Sequence, residues 1–191
     1  MPSSTTIYAE AKTGVFWDVE DCPILNGLDP ASISQNIKSA LANQGYRGEI
    51  EIKAYKEKKT IRNDFQLAGI NLIIAGDRHG RFKAMFEQMR FWMIENRASN
   101  VLIISRDKTD HTPYLQNWTA RNYNILFAEP ENPPEKCCNC RAPLDKDKPL
   151  EPIIGSAECE SKCGTEPNIE NEDWVWTSLA MGGGPLTKTK K

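Results

Sequence analysis

Residues 14–128 predict a doubly wound α/β domain built on a mainly parallel central sheet. Three observations carry that expectation. Short apolar, β-forming runs recur along the stretch, segments of helical periodicity lie between them, and capping or breaking residues mark the joins. Strands alternating with helices need right-handed crossovers, which cover both faces of the sheet.

The first strand, Val15–Asp18, lies in TGVFWDVEDC and ends abruptly in three acids, Asp18, Glu20 and Asp21. A buried strand that stops at a carboxylate places that charge at the sheet's edge, where open α/β sheets bind ligands. There it can hold a divalent cation through oxygen, or cap the turn and the helix that follows. Asp29 and Pro30 then start a helix as N-cap and first helical residue. Ile33, Ile37, Ala40 and Leu41 share one of its faces, and Gly45 lies beyond its end. Ile50–Tyr55 is the second strand. A short helix from Thr60 to Ala68 turns Ile61, Phe65 and Ala68 inward and stops at Gly69. Ile70–Ala75 is the third strand. The next helix runs from about Gly80 to Glu95, with a core stripe of Phe82, Met85, Phe86, Met89 and Met93. Val101–Ser105 is the fourth strand and runs into IISRDKTD, a second acidic stop, and Ile125–Ala128 is the fifth.

The character changes at Glu129. Residues 130–167 hold seven of the twelve prolines and five of the six cysteines, with little periodicity. The chain therefore divides into a leader (1–12), the α/β domain (13–129), an insertion (130–172), a return to the domain (173–187) and a basic tail (188–191). In the return, DWVWTSL alternates Trp174 and Trp176 as a late or edge strand would. Those rings could stack on bases, but packing in the core accounts for them first.

The 191 residues suffice for one full core and a small appendage. A net charge of -2 excludes a global field drawing the molecule to nucleic acid or membrane, so such attraction must come from a local patch. A mean hydropathy of -0.56 fits a soluble protein. No apolar run reaches bilayer length and no signal-peptide core is visible, so no membrane insertion and an intracellular, cytoplasmic setting are expected.

In a reducing setting clustered cysteines read as metal ligands before disulfides. Cys137 and Cys140 have C-x-x-C spacing, and Cys159 and Cys163 form a C-x-x-x-C pair after eighteen intervening residues. That suits a structural Zn²⁺ held by four thiolates, with Cys138 able to replace Cys137. A proline-rich stretch without a core would draw its stability from the metal. The alternative is a flexible insertion whose thiols bind nothing. Cys22 stands alone and is expected to pack behind the first turn. A basic run, Lys53, Lys56, Lys58, Lys59 and Arg62 with Tyr55 among them, falls where the second strand passes into a helix. It could contact phosphates, or be a solvated loop. His79 and His111 each flank a proposed site, but the sequence shows no third partner that would make either read as a general base.

FWDVEDC followed by Pro23, together with IISRDKTD, YNILFAEP and WVWTSLAMGGGPLT, resembles the NYN-domain proteins of the PIN-like nuclease group. More narrowly, the chain looks like the plant proteins related to the meiosis regulator and mRNA stability factor also called limkain. The resemblance covers roughly residues 13–130 and 173–187. It implies acids gathered at the carboxyl ends of the central strands, which in active members hold Mg²⁺ or Mn²⁺ and cleave single-stranded RNA. Phosphodiester hydrolysis needs an activated water and a neutralised phosphorane, and hard cations on carboxylates can supply both. The resemblance makes Asp18 the first family acid, Asp107 and Asp110 the paired acids of a later turn, and Ser105 the serine opening that turn. Asp21 takes a capping role first and a ligand role second. Regulation of gene expression through RNA turnover, protein partners and a peroxisomal association are further implications.

The departures from the pattern are substantial. In SRDKTDH, Arg106 replaces a glycine, one residue separates the acids further, and His111 replaces a phenylalanine. The middle acid, expected at the start of the third helix, is absent from GDRHGRFKAM. Asp77 comes too early, and Arg78, Arg81 and Phe82 occupy the region. Losing a carboxylate and gaining two guanidinium groups weakens a cation site, whereas Arg78, Arg81 and Arg106 could bind phosphate directly. The leading expectation is an RNA-binding, divalent-metal-dependent ribonuclease, and the alternative is a catalytically inactive adaptor for RNA or protein.

Overall fold

The structure, a computed structural model, describes residues 7–58, 63–106, 108–131 and 173–186. Its elements are β1 (Thr13–Asp18), α1 (Pro30–Asn43), β2 (Ile50–Lys56), α2 (Asp64–Leu67), β3 (Ile70–Ile74) and α3 (Arg78–Glu95). There follow β4 (Asn100–Ile104), α4 (Lys108–Thr119), β5 (Asn124–Glu129), β6 (Trp174–Val175) and α5 (Trp176–Ala180). The six strands form one sheet in the order β3-β2-β1-β4-β5-β6, and each neighbouring pair is parallel. The doubly wound, parallel α/β expectation therefore holds.

Strand periodicity divides the core in two. Val15 and Trp17 of β1 point to one face, into a cluster with Ile33, Ile37 and Leu41 of α1, Phe65 of α2 and Trp176 and Leu179 of α5. Phe16 points to the other face and joins Met85, Met89 and Trp92 of α3 with Trp118 of α4 and Phe127 of β5. Every residue of β1 is buried, as a central parallel strand covered on both sides must be. Each large apolar side chain removed from water this way contributes about 1.5–3 kcal/mol.

The start of α1 follows the sequence closely. The Asp29 carboxylate accepts a hydrogen bond from the Ser32 N–H at 2.7 Å, Pro30 occupies the first turn, and the chain leaves the helix through Gly45 at a φ of 93°. Helix α3 begins two residues before the expected Gly80, because the Asp77 carboxylate caps it through the Gly80 N–H at 2.8 Å. Within the described residues the short second helix spans Asp64–Leu67.

The region 173–179 differs from a simple strand. Trp174 and Val175 pair with Ala128 and Glu129, the last residues of β5, and the partner strand then ends. Without further ladder the chain coils into α5, so Trp176 is helical. Both tryptophans are buried, Trp174 donating to the Gly183 carbonyl at 3.2 Å and Trp176 to the Pro23 carbonyl at 2.9 Å. The turn after α5 calls for glycine at Gly182, whose φ is 82°, and a Cβ on Gly183 would crowd the Ser178 carbonyl oxygen at 3.0 Å. Cys137, Cys138, Cys140, Cys159 and Cys163 lie outside the described residues, as do Lys59, Arg62 and Asp107.

Candidate functional site

The strand order reverses its direction of growth at β1, whose neighbours are β2 and β4. The crevice at the carboxyl ends of β1 and β4 is thus the topological switch point, where sheets of this kind bind ligands. Asp18 closes β1 there and Ser105 directly follows β4.

Asp18 is only 3% exposed. Its Oδ1 accepts from the backbone N–H groups of Glu20 at 3.0 Å and Asp21 at 3.2 Å, so the strand's terminal acid shapes its own turn. Arg81, from the first turns of α3, donates through Nε to Asp18 Oδ1 at 3.0 Å and Oδ2 at 2.9 Å. The same guanidinium donates from Nη1 to the Gly76 carbonyl at 3.3 Å and places Nη2 3.8 Å from Asp21 Oδ1. Asp21 in turn accepts through Oδ2 from Ser105 Oγ at 3.4 Å and from the Arg106 N–H at 3.3 Å. It laces the β1 loop to the β4 loop. The capping role expected of Asp21 thus falls to Asp18.

Burial pushes the Asp18 carboxyl above its ordinary value, and the Asp21 charge adds to that push. The Arg81 guanidinium pulls in the opposite direction without cancelling it. Burial also raises the Cys22 thiol strongly, which keeps it protonated behind the turn as expected of a packing residue. Two tryptophans hold the acidic loop from beneath. Trp17 Nε1 donates to the Cys22 carbonyl at 2.7 Å and Trp176 Nε1 to the Pro23 carbonyl, with the two rings 5.1 Å apart. A residue more than 150 positions downstream therefore helps set the site's geometry.

Arg81 reaches Asp18 because the β3–α3 turn is tight. A Cβ on Gly80 would lie 2.2 Å from the Ala75 carbonyl oxygen, so glycine is needed there. Asp77, the acid nearest to the missing middle position, is committed as the α3 cap.

Above these groups opens a cleft of about 470 Å³. Asp18, Asp21 and Ser105 line its floor, Arg78 and His79 its helix-terminal side, and Phe82, Met85, His111 and Tyr114 its wall. Of the residues expected at the site, Asp18 and Ser105 therefore come together. Asp110 falls in the first turn of α4, but its side chain lies outside the description. Lys56 ends β2 half-buried. Lys58 is exposed and paired with Glu57 at 3.6 Å. Arg81 is 5% exposed, so its charge is spent inside the protein. Tyr55 is fully buried among the core residues, and its hydroxyl finds no hydrogen-bond partner among the described residues. It offers no ring to a ligand. His111 is buried between Phe82 and Phe127, with ring centroids 5.0 and 5.6 Å away.

Two features were not anticipated from the residues alone: the ion pair of Asp18 with Arg81, and the placing of Phe82 and Tyr114 on the cleft. Phe82 and Phe86 were expected in the core but are only half-buried. A signal for the second existed in the i, i+4 pairs Phe82/Phe86 and Tyr114/Trp118.

Asp107 and the side chain of Asp110, two of the three expected cation ligands, lie outside the described residues. No three carboxylate, imidazole or thiolate groups converge among them. Asp18 already has a guanidinium against both its oxygens.

A parallel, doubly wound domain whose acids gather at the switch point has the architecture of the PIN-like nuclease fold. The chain belongs to the NYN domain family, which matches residues 12–143. No curated protein matches it. Among the described residues, no helix is long and apolar enough to cross a membrane.

Proposed function

We propose that this NYN domain binds single-stranded RNA at the carboxyl edge of its sheet, and that Arg81 stands in for the cation of a PIN-like nuclease. The carrying observation is the buried pair of Asp18 and Arg81. A cation brought to the same oxygens would have to displace a guanidinium held at 2.9–3.0 Å, and would meet its positive charge. The domain then acts as an RNA-binding adaptor that makes no use of hydrolysis. Arg78 at the cleft, with Arg106, Lys56 and Lys58 around the same edge, supplies phosphate contacts.

A second reading is favoured by the meeting of Asp18 and Ser105. In it Asp18, Asp107 and Asp110 hold Mg²⁺ or Mn²⁺ once Arg81 swings aside, and Ser105 orients water or phosphate. One experiment separates the two. A labelled single-stranded RNA is incubated with wild type and Asp18→Asn, in Mn²⁺ and in EDTA. The adaptor reading expects binding without cleavage in every arm, unchanged by EDTA. Mn²⁺-dependent cleavage that Asp18→Asn abolishes would establish the nuclease instead. The narrower kinship with the plant relatives of limkain, a role in RNA turnover and a peroxisomal association rest on the motifs alone. The four-thiolate zinc site of Cys137, Cys140, Cys159 and Cys163 rests on spacing, and zinc content of protein purified without chelator tests it.

A further inference from the structure

We infer that the aromatic wall of the cleft is a stacking subsite for one unpaired nucleobase. The inference rests on the RNA-binding reading and adds which part of the strand enters. Phe82 of α3 and Tyr114 of α4 both line the cleft, and Tyr114 is 43% exposed. Both rings are backed by Phe86. Phe82 lies parallel to it with centroids 6.4 Å apart and planes 7° apart, and Tyr114 rests 4.4 Å from it at 56°. Trp118 supports Phe86 from behind at 5.3 Å. An exposed ring held by a second layer of rings is a rigid platform, which loses little freedom when a planar base stacks on it.

Charge decides what enters. The floor carries two carboxylates, Asp18 and Asp21, against the single guanidinium of Arg81 that touches both. A phosphate driven to that floor would be repelled, whereas a base meets no such penalty. The oxygens of Asp21 and Ser105 accept N–H donors from the base's edge, and Arg78 beside the cleft faces the sugar–phosphate chain. The volume of about 470 Å³ falls within the roughly 300–1,000 Å³ of small-ligand pockets and admits one nucleotide rather than a duplex.

The test measures binding of a short labelled single-stranded RNA by anisotropy at several salt concentrations. Tyr114→Leu and Phe82→Leu keep apolar bulk but remove the π-face, and each should weaken binding by about 5- to 150-fold with the salt slope unchanged. Tyr114→Phe should bind like wild type. Wild-type protein scanned against RNAs carrying one abasic position at a time should show one position of similar loss, a result independent of how well any variant folds. Wild type that binds RNA, together with leucine variants of equal affinity or an abasic scan without a preferred position, overturns the subsite alone. Wild type that binds no single-stranded RNA overturns the RNA-binding reading, and the subsite with it.

Discussion

Replacing Arg81 by methionine should expose how much the site's charge balance costs the fold. The change keeps most of the apolar stem and removes the guanidinium. Asp18, 3% exposed, is left with two backbone N–H donors at 3.0 and 3.2 Å and with Asp21 as a like-charged neighbour. Breaking a buried pair by removing one partner costs about 3–5 kcal/mol. At roughly 2–4 °C per kcal/mol for a domain of this size, that is a fall in Tm of about 6–20 °C. The effect should depend on pH with a definite sign. Burial already raises the Asp18 carboxyl above its ordinary value of 3.8, so only between that value and the raised one does the folded state hold a proton that the unfolded state has released. Stability linked to Asp18 is fully present below that ordinary value and is lost as pH rises through the raised one. Without Arg81 the opposing pull disappears and the loss extends to higher pH. Thermal unfolding of wild type, Arg81→Met and Asp18→Asn/Arg81→Met near pH 4 and near pH 8 reads this directly. The deficit of Arg81→Met should be small in acid and large at pH 8, and the added Asp18→Asn should recover much of it. A deficit equal at both pH values, or no recovery in the double variant, would refute the electrostatic account.

Three further outcomes follow from the packing. Gly80→Ala should destabilise by about 1–3 kcal/mol, since its Cβ meets the Ala75 carbonyl at 2.2 Å and the start of α3 must shift, carrying Arg81 with it; denaturant unfolding and RNA affinity should fall together. Trp176→Phe removes the donor to the Pro23 carbonyl and should cost about 0.5–1.5 kcal/mol, and faster amide exchange at 19–22 would show that the acidic loop has loosened. Asn100→Ala should cost about 2–4 kcal/mol, because its side chain donates to the carbonyls of Tyr8 and Ala11 and accepts from Asn124 at 2.9 Å beneath the sheet; it should leave RNA binding of the folded fraction unchanged, the network being at the opposite end of the strands.

Local chemistry determined much of this protein from the chain alone. The capped start at Asp29-Pro30, the apolar strands and the acid that closes β1 each follow from interactions between residues near in sequence. Their alternation was enough to predict a parallel, doubly wound sheet with Asp18 at its carboxyl edge, while Ser105 was singled out by the family resemblance. The tertiary structure decided what no spacing could. Trp176 became helical because its partner strand ended at Glu129, not because of its neighbours. The Met and aromatic stripe of α3 divided between core and cleft according to where α4 came to lie. The state of Asp18 was settled by Arg81, 63 residues away, once the glycine turn at residue 80 aimed α3 at the end of β1. A carboxylate's type can be read in the chain. Whether it faces a cation or a guanidinium depends on which distant side chain the packed fold brings within 3 Å.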